Sequence, residues 1–220
     1  MAPAVVISLI LAGLAYLILK DIISTRRRRA AMTRLAVELG MSYDIETYDH
    51  RTAMHCFAPI FQSGEKRRSL NVLRNDGPNT LLIFDYQYKP TAPRARVLKR
   101  QTVFVHQLPG LRYPKIEARP ENLDDFIDNL FGKKDIDFTE DPGFSKRYWV
   151  KAENEIDARA VLDPRTRRLL LKTPYWTVQI LFGSFVFFIS GKRIKPADIP
   201  EYLRETQDIL DAMTALPQTA

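Results

Sequence analysis

The chain has 220 residues and a formal net charge of +7, from 33 Lys and Arg set against 26 Asp and Glu. A hydrophobic share of 45% and an aromatic share of 10% exclude an intrinsically disordered chain and are enough for a genuine core. Arg26, Arg27, Arg28, Arg29 and Arg34 carry most of the positive excess. The remainder is therefore close to neutral, and nucleic-acid binding loses its electrostatic basis.

Residues 2–19 form an uncharged apolar run, about 27 Å long as a helix, which matches the hydrocarbon core of a bilayer. A secretory signal would need Lys or Arg before the run, and none is there. All the basic charge follows, at Arg26-Arg27-Arg28-Arg29. By the positive-inside rule the N-terminus is expected outside and everything after Arg26 in the cytoplasm, on the inner membrane. Arg26, Arg27, Arg28, Arg29 and Arg34 are then candidate contacts to anionic lipid headgroups, each contributing roughly 1 kcal/mol. Cys56 is the single cysteine, which suits a reducing compartment.

Four segments follow: an anchor over 1–25, a basic juxtamembrane helix over 26–40, an antiparallel β-rich unit with a helix over 41–132, and an α+β unit over 133–220. The juxtamembrane helix presents Met32, Leu35, Ala36 and Leu39 as one stripe and ends at Gly40. Alternating or apolar runs predict strands over 43–48, 56–61, 70–74, 80–88 and 102–108. The sharpest turn is Asp76-Gly77-Pro78-Asn79, and 89–100 reads as a basic surface loop. A helix is expected over 121–131, through Leu123, Phe126, Ile127 and Leu130, with Asp124, Asp125 and Asp128 on its outer side. A loop over 133–144 would join the two units.

In the second unit, 148–151 reads as a strand and 155–162 as a short helix. Asp163-Pro164 restarts helix, Asp as N-cap and Pro at the first helical position. A hairpin turns at Gly183-Ser184, a dipeptide suited to type II′. A closing amphipathic helix over 197–216 aligns Ile199, Tyr202, Leu203, Thr206, Ile209, Leu210 and Met213. Hairpin-paired strands with helices set apart predict an α+β fold: an N-terminal transmembrane helix, then a cytoplasmic antiparallel sheet with packed amphipathic helices.

Chemical signals are sparse. Neither phosphate-binding glycine pattern is present. Asp49-His50 and His55-Cys56 bring two imidazoles and a thiol close in sequence, yet adjacent strand residues point to opposite faces and four zinc ligands are not assembled. No metal and no cofactor is expected. His106 reads as a hydrogen-bonded core histidine, and Asp85, between Phe84 and Tyr86, as a carboxylate whose ionisation burial or a cation would perturb. Leu181, Val186 and Phe188 make an apolar patch behind the 185–189 strand. It is covered either by helix 26–39, by the closing helix, or by a protein partner near the membrane.

Phe84-Asp85-Tyr86, the Phe144-Ser145 step before Tyr148-Trp149, and the closing Trp176 strand, hairpin and helix resemble a group of uncharacterised bacterial single-pass membrane-anchored proteins. The resemblance implies an inner-membrane setting and no activity. The sequence reading is thus a cytoplasmic binding or scaffold module, an accessory subunit of a membrane assembly. Its rivals are a tethered enzyme using Cys56, His50, His55, His106 or Asp85, and an anionic-lipid sensor using Lys66, Arg67, Arg68 or the 89–100 loop.

Overall fold

The computed structural model describes residues 2–47, 58–62, 64–75, 77–91, 97–110, 113–121, 135–173 and 176–215. In chain order the elements are α1 (Ala2–Leu39), β1 (Ser42–Thr47), α2 (Pro59–Gln62), β2 (Glu65–Arg74), β3 (Thr80–Lys89), β4 (Lys99–Gln107), β5 (Ile116–Pro120), α3 (Pro142–Ser145), β6 (Tyr148–Ala152), α4 (Glu155–Val161), α5 (Pro164–Lys172), β7 (Thr177–Leu181), β8 (Ser184–Phe188) and, after a 3₁₀ turn over Pro196–Asp198, α6 (Ile199–Thr214).

Anchor and juxtamembrane helix are one unbroken helix of 38 residues. Its N-terminal part is long and apolar enough to cross a membrane, and none of that stretch is buried within the protein. The helix ends where the sequence places its stop. Gly40 takes φ +65°, and the Met41 amide closes on the Ala36 carbonyl at 2.8 Å, the six-to-one bond that satisfies a terminal carbonyl. Downstream, Asp163 caps α5 through the Thr166 amide at 2.7 Å with Pro164 in the first turn, and Asn154 caps α4 through the Ile156 amide at 2.9 Å.

The eight strands among the described residues join one sheet in the order β1-β2-β3-β4-β8-β7-β5-β6, every neighbouring pair antiparallel. The first four form a meander. β5 then lies between β7 and β6, so strands from 41–132 and 133–220 interleave and the sheet has no break at 132/133.

Side chains alternate between two cores. On one face Met32, Leu35 and Ala36 of α1, Leu170 of α5, and Ile199, Ile209, Leu210 and Met213 of α6 cover Ile83, Phe104, Val178, Ile180 and Phe187. On the other, Ala58, Ile60 and Phe61 join Phe84, Tyr86, Val103, Val105 and Val186. The α+β fold, the apolar helix and the packed amphipathic helices are as the sequence predicts.

The departures are local. The end of the expected 56–61 strand is instead the helical turn α2; Pro59 has no N–H to give a ladder, and the Ile60 amide goes to Gln179 Oε1 at 3.2 Å. Strand β5 has no counterpart in the sequence pattern, being five residues with Glu117, Arg119 and Pro120 interrupting any apolar run. β2 starts earlier than its apolar run because it is bulged twice, between Glu65 and Arg68 and between Leu70 and Leu73. Lys99 and Arg100 belong to β4 rather than to a loop. The β7–β8 turn is Phe182-Gly183, not Gly183-Ser184: Leu181 pairs with Ser184, and φ is +47° at Phe182 and +77° at Gly183. Two successive positive φ values define a type I′ turn. Residues 122–131 of the expected helix lie outside the described residues.

Candidate functional site

The most connected polar cluster lies where α1 enters the domain. Asp85 points to the α1 face of β3, in step with Leu81 and Ile83, and is 4% exposed. Arg28, two turns beyond the apolar stretch, is 9% exposed and grips it with both ends of its fork: Nε donates to Oδ2 and Nη2 to Oδ1, each at 2.5 Å. Its Nη1 donates to the Ile194 carbonyl at 2.8 Å. A bidentate, charge-assisted pair of this kind carries geometric specificity as well as energy.

Three further side chains complete the arrangement. Asn71 Nδ2 donates to Asp85 Oδ2 at 2.8 Å, and Tyr43 donates its hydroxyl proton to Asn71 Oδ1 at 3.0 Å. Burial holds the Tyr43 phenol above its ordinary range. The Thr102 hydroxyl donates to Asp85 Oδ1 at 3.3 Å and accepts the Ile194 amide at 2.9 Å. Asn71 reaches Asp85 because it occupies the β2 bulge with φ +52°, a left-handed conformation asparagine tolerates better than most residues. One polar side chain thereby turns from its strand alternation into the network.

The geometry revises two sequence expectations. Arg28 is not a headgroup contact: it is a buried structural cation, whereas Arg26, Arg27, Arg29 and Arg34 are exposed. Leu181, Val186 and Phe188 are 2%, 0% and 3% exposed. The segment 58–61 shares their core, so their cover is intramolecular. It comes from neither helix 26–39 nor the closing helix, both of which pack on the opposite face; a partner finds no open surface at these three residues.

His106 is 5% exposed, its Nε2 lies 3.2 Å from the Thr206 hydroxyl, and its ring meets Phe187 edge-on at 5.6 Å. Burial lowers its pKa to about 4, with Asp211 pulling weakly upward. His50, His55 and Cys56 lie outside the described residues, as do Asp124, Asp125, Asp128 and part of the basic loop, 92–96. Arg67 donates to the Phe61 carbonyl at 2.7 Å and fastens α2. Arg68 forks onto Glu46 at 2.6 Å, and Lys66 is exposed with φ +52° in the first bulge. Among the described residues no group of three or more His, Cys, Asp or Glu could hold a metal ion.

Sequence reasoning missed Thr102, Asn71 and Ile194. A polar, turn-prone Asn inside the 70–74 run signals a bulge; the other two carry no local signal. A second buried cation, Arg167, was missed as well. It is 4% exposed, bonded to Glu140 at 2.8 Å and Asp141 at 3.1 Å, and 4.7 Å from the Phe138 ring centroid. This second cluster fastens α5 to the residues that lead into α3.

No protein-family model matches the sequence, and no curated protein matches it significantly. Among solved structures the chain is similar to the crystal structure of the mycobacterial trehalose monomycolate transport factor A, TtfA. The TM-score is 0.61 at 16% sequence identity, over 89% of this chain and 98% of that one. At that identity the likeness shows a shared fold.

Proposed function

We propose that this is a single-pass inner-membrane protein whose cytoplasmic domain is a binding or scaffold module, an accessory subunit of a membrane assembly. The observation that carries the reading is the continuity of α1. One helix runs from the apolar stretch into the sheet and is locked there through Arg28 and Asp85, so the domain has a set rotation and height above the bilayer. Presenting a surface at a defined place on a membrane is what an assembly subunit must do. The sharing of a fold with a protein described as a transport factor supports the same role.

The chemistry of the described residues favours this over a tethered enzyme. Asp85 has its oxygens committed to Arg28, Asn71 and Thr102, and His106 is neutral near pH 7 and buried beside Thr206. Neither is presented to a substrate.

Two measurements test the proposal. A periplasm-active phosphatase fused after Ala220 should be inactive and a fluorescent protein there should be bright; the reverse pattern refutes the orientation. Affinity purification of the full chain in mild detergent, followed by mass spectrometry, should recover a membrane protein in fixed proportion. Recovery of the chain alone, across several mild detergents, counts against the accessory-subunit reading.

A further inference from the structure

The direction of α1 relative to the strands shows which end of the sheet lies toward the apolar stretch. Arg28 is bonded to Asp85 and lies beside Thr102, residues that pair across β3 and β4. Asp21, about 10 Å further toward the N-terminus along the helix, lies 3.9 Å from Arg100, nearer the start of β4. The other end of the helix agrees. After Gly40 the chain enters β1 at Ser42, which pairs with Arg74; Arg74 pairs with Leu82 and Leu82 with Val105, on the far side of Thr102 from Arg100. α1 therefore runs along the sheet and leaves it over the Lys99 end of β4, with its apolar stretch beyond.

The helix also serves as a ruler. Leu19 ends the uncharged run, and Asp21 lies about 3 Å past it along the axis, inside a polar headgroup layer that is roughly 5–8 Å deep on each side of a bilayer. Arg100, within reach of Asp21, is brought to the same depth. Beyond the Arg100 row, the register sets Lys99 opposite Tyr88 and Lys89 opposite Glu65, with Lys66 alongside. Lys66 and Arg100 are exposed, and Lys89 and Lys99 are half-buried. The connection from β3 to β4 leaves from this end of the sheet, and in it Val97 is 79% exposed. Single exposed apolar residues are ordinary on a protein surface. Val97, however, sits at the end of the sheet from which the anchor departs, just before Lys99 and Arg100. Interfacial binding grows with buried apolar area and with the attraction of cations to anionic lipid, and this end offers both.

We propose that the β3–β4 end of the sheet is a second membrane contact: Val97 enters the headgroup layer of an anionic leaflet, and Lys89, Lys99 and Arg100 lie against that leaflet's surface. The partner is the bilayer surface as a whole, not a single lipid in a pocket. Glu65 and Asp21 are the carboxylates the same geometry brings to this end; both are exposed, and the Asp21–Arg100 pair is at the edge of ion-pair distance, so water and salt screen it. With α1 as the first point of attachment, this second one holds the sheet end-on and opposes rotation of the domain about the helix axis.

The inference rests on the membrane-anchored reading, and one experiment separates the two. In a Cys56→Ser background, Leu11→Cys, Val37→Cys and Val97→Cys each carry an environment-sensitive fluorophore. The full chain is reconstituted into vesicles of phosphatidylcholine and phosphatidylglycerol in equal parts, with nitroxide lipids that quench either near the headgroup or deep in the acyl region. Val37 is the control: at 78% it is as exposed as Val97, but it lies near the end of α1, at the opposite end of the sheet. The label at Val97 should be blue-shifted and quenched by the shallow nitroxide, the label at Val37 neither, and the label at Leu11 should be quenched by the deep one. Quenching at Leu11 without quenching at Val97 overturns the second contact and leaves the anchor standing. No quenching at Leu11 removes the anchored reading and this inference with it. K89Q/R100Q should lose most of the Val97 signal, since each cation near an anionic leaflet contributes about a factor of five. A full signal in the folded double variant overturns the role of those cations. Should that variant not fold, the wild type in phosphatidylcholine alone should show the same loss, and an undiminished signal there overturns the role equally.

Discussion

At the scale of single residues, burial determines what each ionisable group can do. His106 has hydrophobic neighbours on its own strand face and a hydroxyl, not a carboxylate, at its ring nitrogen, so the neutral imidazole is favoured. Its pKa falls from 6.5 to about 4. Between those values the unfolded chain binds the extra proton and the folded one does not. The contribution is complete above about pH 6.5 and is lost as pH falls toward 4, to a total of about 3 kcal/mol. Denaturant unfolding of the full chain in detergent should therefore show stability declining from pH 6.5 to 4. His106→Gln, which retains a hydrogen-bonding group for Thr206, should flatten that decline, and an unchanged slope would place its origin elsewhere. Asp85 is buried too, but its oxygens are taken up by the bidentate Arg28 guanidinium, Asn71 and Thr102, so it is not presented to a substrate.

At the scale of elements, bulges and turns redirect side chains in ways an alternating pattern conceals. Asn71 enters the polar network only because β2 is bulged at its position. The β7–β8 turn holds a bulky aromatic, Phe182, at φ +47° and 63% exposed, in a conformation that type I′ turns fill with Asn or Gly. Lys115 Nζ lies 5.4 Å from the ring centroid, a contact that at an exposed site contributes at most about 1 kcal/mol. Phe182→Asn, which creates Asn-Gly, should raise stability by about 0.5–1 kcal/mol, read as a higher melting temperature, while Phe182→Val should lower it. A drop with Asn would mean that the Phe182 ring contributes more than its backbone costs. α2 makes a related point. A four-residue helical turn, nearly invisible as a pattern, buries Ile60 and Phe61 and covers the apolar side of β8.

At the scale of the whole molecule, a buried ion pair joins α1 to the sheet. Removing Arg28 alone leaves a buried, uncompensated carboxylate, so Arg28→Met should cost about 3–5 kcal/mol, and Asp85→Leu a comparable amount. The double substitution removes both charges and should restore much of that loss, measured by denaturant unfolding of the full chain; strictly additive losses would mean that the two side chains act independently. The α+β class, the apolar helix, its stop at Gly40, the cap at Asp163 and the face of the closing helix were legible in the chain, because each depends on residues within about one or two turns of one another. Strand β5, α2 and the partners of Arg28 were not. Arg28 reads as one more cation in a basic run, and its contacts with Asp85 and Ile194 lie 57 and 166 residues away. Composition and periodicity determined the long apolar helix, most of the strands and the apolar face of the closing helix. Only the tertiary structure decided which arginine is buried, what covers Val186, and that Asn71 and Thr102 meet at Asp85, because strand order and register set those distances and local patterns do not encode them.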